Sequence, residues 1–261
     1  MHLTILFGAQ SYEHEISIVS AIALKKVLPG CTVGYIFVDR FREFYKIDPK
    51  KITSKLFSSG DYVDMPKLTL KQGGFFQKSL LGEKHVPTGT VLNLVHGGDG
   101  EDGKLAGMLE FFGIPFIGPR MEACVLSFSK KLTKYLAAAQ EIPALSFQIV
   151  TQESRKSFAP EYPVIVKPLR LGSSIGVTVV KSEAELEYAL DVAFEFDREI
   201  LAEPFVNGVK EYNLAGCKAG NEWLFSIVEE PGKEEFLDFD KKYLDFTRTQ
   251  RVASRVISRL R

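Results

Sequence analysis

The stretch Val166-Lys167-Pro168-Leu169-Arg170-Leu171-Gly172-Ser173-Ser174-Ile175-Gly176-Val177 constrains this chain more than any other. The apolar, β-branched run Val164-Ile165-Val166 predicts a buried strand, and Pro168 stops its hydrogen-bond ladder. Such a strand delivers Lys167 to the mouth of a loop. Gly172 and Gly176 are expected to supply positive φ and close backbone approach, while Ser173 and Ser174 add hydroxyl and amide donors. Turned-in N–H groups and one lysine offer a polyphosphate fixed dipoles and a point charge in place of the water it loses. The competing reading is an ordinary Gly-Ser turn with Lys167 in water.

A chain of 261 residues with 45% hydrophobic content can bury a substantial core and has the length of about two domains. Lys plus Arg and Asp plus Glu balance at 33 each, so net charge gives no argument for nucleic acid or a membrane surface, and neither is expected as a partner. Cys31, Cys124 and Cys217 are odd in number and widely spaced, which indicates neither a disulfide framework nor a zinc site. The amino terminus lacks a basic n-region, and no window approaches the ~20 apolar residues of a membrane span. A soluble protein of the reducing cytoplasm is expected.

Strand and helix signals alternate along the chain. A strand over 3–7, a turn over 8–12, a helix over 14–28 and a strand over 32–38 make a βαβ opening, which implies a parallel sheet with its ligand face at the strands' carboxyl ends. Residues 68–76 read as a hairpin excursion, and Val91–Val95 as a returning buried strand. A helix over 104–112 and a short strand over 114–117 lead to Gly118-Pro119, a natural domain boundary. One long helix is expected over 122–140, then strands near 146–150, 164–167 and 177–180, a helix over 182–196 and a strand over 200–205. A last hairpin is expected across Ala219-Gly220-Asn221.

A second dense signal is His96-Gly97-Gly98-Asp99-Gly100-Glu101-Asp102-Gly103. A plain turn uses one or two glycines, whereas four let a ligand lie against the backbone, and His96 stands at a strand end where a pocket would be. The alternative for His96 is a satisfied core histidine. At least two of Asp99, Glu101 and Asp102 are expected to be structural, as turn or helix caps. A third signal, Gly8-Ala9-Gln10-Ser11-Tyr12-Glu13-His14-Glu15-Ile16-Ser17, also follows a strand. It lacks Gly-x-Gly-x-x-Gly, and its carboxylates Glu13 and Glu15 suit an ammonium better than a phosphate, although one of them could merely cap the helix.

Together the three loops resemble the D-alanine:D-alanine ligases, ATP-grasp enzymes of cell-wall precursor synthesis. The family patterns Gly-Gly-x-Ser-x-Glu-x-Glu-Val-Ser, His-Gly-x-x-Gly-Glu-Asp-Gly and Lys-Pro-x-x-x-Gly-Ser-Ser-x-Gly occur in order, with Ala9 and Ile16 as minor departures. The resemblance implies an α/β chain: a Rossmann-like (pre-ATP-grasp) N-terminal domain over 1–118, followed by an incomplete ATP-grasp domain with lobes over 119–206 and 207–261. It implies that Glu13 holds the ammonium of the first D-alanine and that His96, supported by Glu101, lies beside the second. Lys130 and Lys167 would contact the ATP phosphates, with Ser173 and Ser174 in the same loop. Ser173 would link Glu13 to Tyr243 of a lid, and Lys242 would reach the γ-phosphate. Glu203, Phe205 and Val206 resemble the adenine linker and Glu211 the ribose ligand, while Pro204 stands where many relatives carry lysine. A homodimer is also implied.

The implied chemistry is phosphorylation of one D-alanine carboxylate to an acyl phosphate, then attack by the amine of the second, with bound Mg²⁺ or Mn²⁺ neutralising charge and lid closure excluding water. The family's Arg-x-Asp and Asn-Glu-x-Asn segments, which supply the metal carboxylates, do not occur after Tyr243, so the metal ligands are expected beyond the chain end. Residues 246–261 carry Arg248, Arg251, Arg255, Arg259 and Arg261 with no acid. Their helical spacing of apolar residues allows a basic amphipathic helix, but a solvated tail left by truncation or frameshift is the expectation. The alternatives to a D-alanine:D-alanine ligase are a D-alanine:D-lactate or D-serine ligase, and a non-catalytic remnant that binds ATP or D-alanine.

Overall fold

The computed structural model describes residues 2–25, 27–28 and 32–230. By contacts these divide into two compact units, one of 2–144 with Arg170–Gly172 and the other of 145–169 with 173–230.

In the first unit β1 (His2–Gly8), α1 (His14–Leu24) and β2 (Thr32–Val38) form the expected βαβ opening. A meander follows: β3 (Phe44–Ile47), the short α2 (Ser54–Ser58), β4 (Lys67–Lys71), β5 (Gly74–Ser79) and β6 (Gly82–Val86). Then come β7 (Thr90–Asn93), α3 (Lys104–Phe111), β8 (Phe116–Ile117), α4 (Met121–Phe128) and α5 (Lys130–Ala139). The sheet order is β6-β5-β4-β3-β2-β1-β7-β8. The expected parallel sheet is thus only half correct: pairing is parallel from β2 through β1 and β7 to β8, and antiparallel from β2 to β6. After β2, β4 and β5 short turns carry the chain back beside itself, where parallel pairing would need a long crossover; only the connection from β3 to β4 is longer and holds α2.

Alternation along β1 and β2 sorts the core onto two faces. Ile5, Phe7, Tyr35 and Phe37 pack with Ile18 and Ala21 of α1 and with Leu56 and Phe57 of α2. Leu6, Ile36 and Val38 point the other way, to Leu105, Ala106 and Leu109 of α3. Phe7 is fully buried, which contributes about 1.5–3 kcal/mol relative to an exposed ring.

Cys124 of α4 is also buried in the core against α3, and a Cβ added at Gly107 would lie 2.7 Å from Met121 Sδ. This packing groups α4 with the first unit, whose first segment runs to 144 by contacts. The expected single helix over 122–140 is in fact two, broken at Ser129 (φ −87°, ψ 109°). Ser127 Oγ donates to Ala123 O at 2.8 Å and Thr133 Oγ1 to Leu126 O at 2.8 Å, and the Ser129 hydroxyl accepts from Leu132 N. Such hydroxyl bonds compete with the helix's own ladder.

The second unit is a four-stranded antiparallel sheet in the order β11-β10-β12-β9, made of β9 (Gln148–Val150), β10 (Val164–Pro168), β11 (Thr178–Val180) and β12 (Ile200–Pro204). Leu186, Ala189, Leu190 and Ala193 of α6 (Glu183–Phe194) cover Val164 and Val166. The expected last hairpin forms as β13 (Gly216–Ala219) and β14 (Glu222–Phe225). No helix among the described residues is long and apolar enough to cross a membrane.

Candidate functional site

Within the first unit the two glycine-bearing loops meet at the carboxyl ends of β1 and β7. Ser17 fastens them: its Oγ accepts from Gly8 N at 2.8 Å and donates to Leu94 O at 2.8 Å. Ser17 is fully buried, so Ser17→Ala strands two backbone groups away from water and is expected to lower stability by roughly 1–3 kcal/mol in denaturant unfolding. A loss below about 0.5 kcal/mol would show that both groups find other partners.

Glu13 is 5% exposed, and Ser11 Oγ accepts its backbone N–H at 2.9 Å. Gly97 (φ +62°) lies directly against it: an added Cβ would sit 2.3 Å from Glu13 Oε2 and 2.7 Å from Ser11 Oγ. At Gly98 (φ +42°) it would sit 2.5 Å from Gln10 O. The glycines therefore serve contact between two loops as well as any ligand. His96 Nε2 is buried with no hydrogen-bond partner, so the satisfied core histidine does not describe it. The expected support from Glu101 is not made at that nitrogen, and Glu101 is exposed. Two of the three carboxylates are structural, as expected: Asp99 pairs with Arg42, and Asp102 accepts Lys104 N at 3.0 Å.

His14, which the sequence reading did not single out, is buried, and its Nδ1 lies 2.7 Å from Ala9 O. A carbonyl only accepts, so Nδ1 carries the proton. Burial holds this imidazole below its ordinary value of 6.5; the Ala9 bond opposes that, Arg40 lowers it further, and Glu15 and Asp39 raise it slightly. The unfolded chain therefore binds a proton before the folded one. Stability is present above 6.5 and is lost as pH falls toward the lower folded value. The melting temperature is expected to drop from about pH 7 to about pH 5, less so in His14→Gln. Equal slopes in a scan of melting temperature against pH would assign the loss to other groups.

Lys130 begins α5 and donates to Leu171 O at 2.6 Å, a bond that uses one of the three N–H donors of its ammonium. In the second unit Lys167 of β10 forms an ion pair with Glu203 of β12, with side chains 20% and 10% exposed. Ile165 faces Glu203 and Lys167 faces Leu201 in the strand register, so the lysine and the carboxylate share one face of the sheet as a diagonal pair. The following loop corrects one expectation: the left-handed positions are Ser173 (φ 53°), Ser174 (φ 59°) and Gly176 (φ 68°), and Gly172 is not one of them. Two successive serines in that region carry a cost of about 1–3 kcal/mol each, and such strain is retained where surroundings over-determine the backbone. Gly176 is needed for packing as well, since an added Cβ would lie 2.6 Å from the Phe196 ring. Phe205 is half-buried and donates its N–H to Pro163 O at 3.0 Å, while Val206 and Glu211 are exposed. Lys242, Tyr243 and the arginine-rich segment lie outside the described residues. Among the described residues no group of three or more His, Cys, Asp or Glu could hold a metal ion.

A Rossmann-like unit with paired strand-end loops, joined in one chain to an antiparallel sheet that delivers a lysine to a Gly-Ser-Ser loop, has the architecture of an ATP-grasp ligase. The family models described as D-ala D-ala ligase N-terminus and D-ala D-ala ligase C-terminus match residues 2–119 and 136–259, the second match taking in most of the arginine-rich segment. The D-alanine--D-alanine ligase of Wolinella succinogenes is 60% identical over 97% of this chain and 73% of that protein. That of Sulfurovum is 57% identical over 99% and 74%. The crystal structure of the Helicobacter pylori enzyme superposes with a TM-score of 0.85 at 51% identity, covering 94% of this chain and 76% of the other. The chain belongs to the D-alanine–D-alanine ligase family.

Proposed function

We propose that this chain joins two D-alanines at the expense of ATP, through an acyl phosphate, to make a peptidoglycan precursor. The observation that carries the reading is the buried Glu13 carboxylate held against the Gly97 backbone, beside a histidine whose Nε2 is buried and unpartnered. A carboxylate at the strands' carboxyl ends suits an amino acid's ammonium, and Glu13 is assigned that role. His96 Nε2 is assigned to the second amino acid, whose polar groups would satisfy it. Lys167, Ser173 and Ser174 are assigned to ATP phosphates with Lys130, and Glu203, Phe205, Val206 and Glu211 to the nucleoside. Lysine ammoniums and turned-in amides stabilise charge that moves between phosphate oxygens. Mg²⁺, a cytoplasmic location and a homodimer are part of this reading, and family membership is what supports them.

The test is phosphate release from Mg-ATP by the purified chain, with and without D-alanine, alongside the Wolinella enzyme. D-Alanine-dependent release with formation of the dipeptide is expected. Nucleotide binding without release would establish the non-catalytic alternative instead.

A further inference from the structure

The loop that carries His96 is anchored by a residue that belongs to none of the three motifs. Arg42 Nε donates to Asp99 Oδ2 at 2.8 Å and its Nη2 to Asp99 Oδ1 at 3.1 Å, a bidentate pair between residues 57 apart in sequence. The Asp99 side chain is only 6% exposed, so its charge is tolerable only where cations reach it. Lys104 adds a looser contact at 3.5 Å. Arg42 is itself held in the left-handed region (φ 66°), in a turn built by Asp39, whose Oδ1 accepts from Phe41 N at 2.8 Å and Glu43 N at 2.9 Å. One rigid turn thus presents a planar fork to one buried carboxylate. Asp99 immediately follows Gly98, whose backbone presses on Gln10 as that of Gly97 presses on Glu13.

We propose that Arg42 is a positioning residue for the amino-acid site: through Asp99 it holds Gly97 against Glu13 and Gly98 against Gln10. The substrate half of this inference rests on the ligase reading. The structural half does not.

The test compares the full chain with Arg42→Ala, Arg42→Lys and Arg42→Ala/Asp99→Asn. The readouts are KM for D-alanine, KM for ATP, melting temperature and amide exchange of residues 97–100. Arg42→Ala should raise the D-alanine KM about tenfold, leave the ATP KM within about twofold, and speed loop exchange about tenfold. Arg42→Lys should not rescue, because an ammonium cannot make the planar two-point contact. The double variant should recover melting temperature but not KM, since it removes the stranded charge without restoring the anchor. Unchanged loop exchange in Arg42→Ala would overturn the proposal, as would equal rises in both KM values. If the parent chain releases no phosphate with D-alanine, the ligase reading fails while the exchange arm still tests the anchor.

Discussion

Gly97→Ala is expected to lower D-alanine-dependent phosphate release about hundredfold in kcat/KM, equivalent to about 2.7 kcal/mol, without altering a single polar group. The added methyl would lie 2.3 Å from Glu13 Oε2 and 2.7 Å from Ser11 Oγ, so the carboxylate must move. Positive φ (+62°) adds strain of about 1 kcal/mol, which is felt as stability rather than as catalysis. Gly60→Ala separates the two effects: at φ +80° it is similarly strained, but nothing lies within 4 Å of its Cβ. That control should lose stability and keep full activity. Gly97→Ala at parental activity would remove Glu13 from the amino-acid site.

The second large effect is expected at Lys167. Lys167→Met should weaken ATP binding at least about hundredfold and lower stability by roughly 3 kcal/mol, because the nearly buried Glu203 loses that cation. Lys167→Met/Glu203→Gln should regain most of the stability and none of the nucleotide affinity. The pair of results distinguishes a lysine that binds phosphate from one that only neutralises its neighbour. Denaturant unfolding and titration with ATP measure the two quantities. Unchanged affinity in the single variant would leave Lys167 with a structural role alone.

Much of this was legible along the chain. The β1-α1-β2 opening, the strand that carries Lys167 and the two glycine-bearing strand-end loops all rest on local periodicity and on residues with special φ, although that strand runs on through Pro168 instead of stopping before it. At least two of Asp99, Glu101 and Asp102 were expected to be structural, and Asp99 and Asp102 are, although Asp99 is so through Arg42 rather than as a cap. What escaped was of another kind. β6 (Gly-Glu-Lys-His-Val) is exposed except at Val86, so it carries no alternation to read. The break at Ser129 depends on hydroxyls that satisfy carbonyls of the preceding helix, whereas helix periodicity runs through it uninterrupted. In the phosphate loop, glycine is the cheapest left-handed residue, yet Ser173 and Ser174 occupy that region.

The sequence by itself determined the local elements and the three motifs, because backbone sterics and hydrophobic period act over a few residues. Only the tertiary structure decided which groups meet: Gly97 with Glu13, Arg42 with Asp99, α4 with α3. Those pairings depend on how strands stack into a sheet and on where a buried charge can find its counterion, and no local pattern records either.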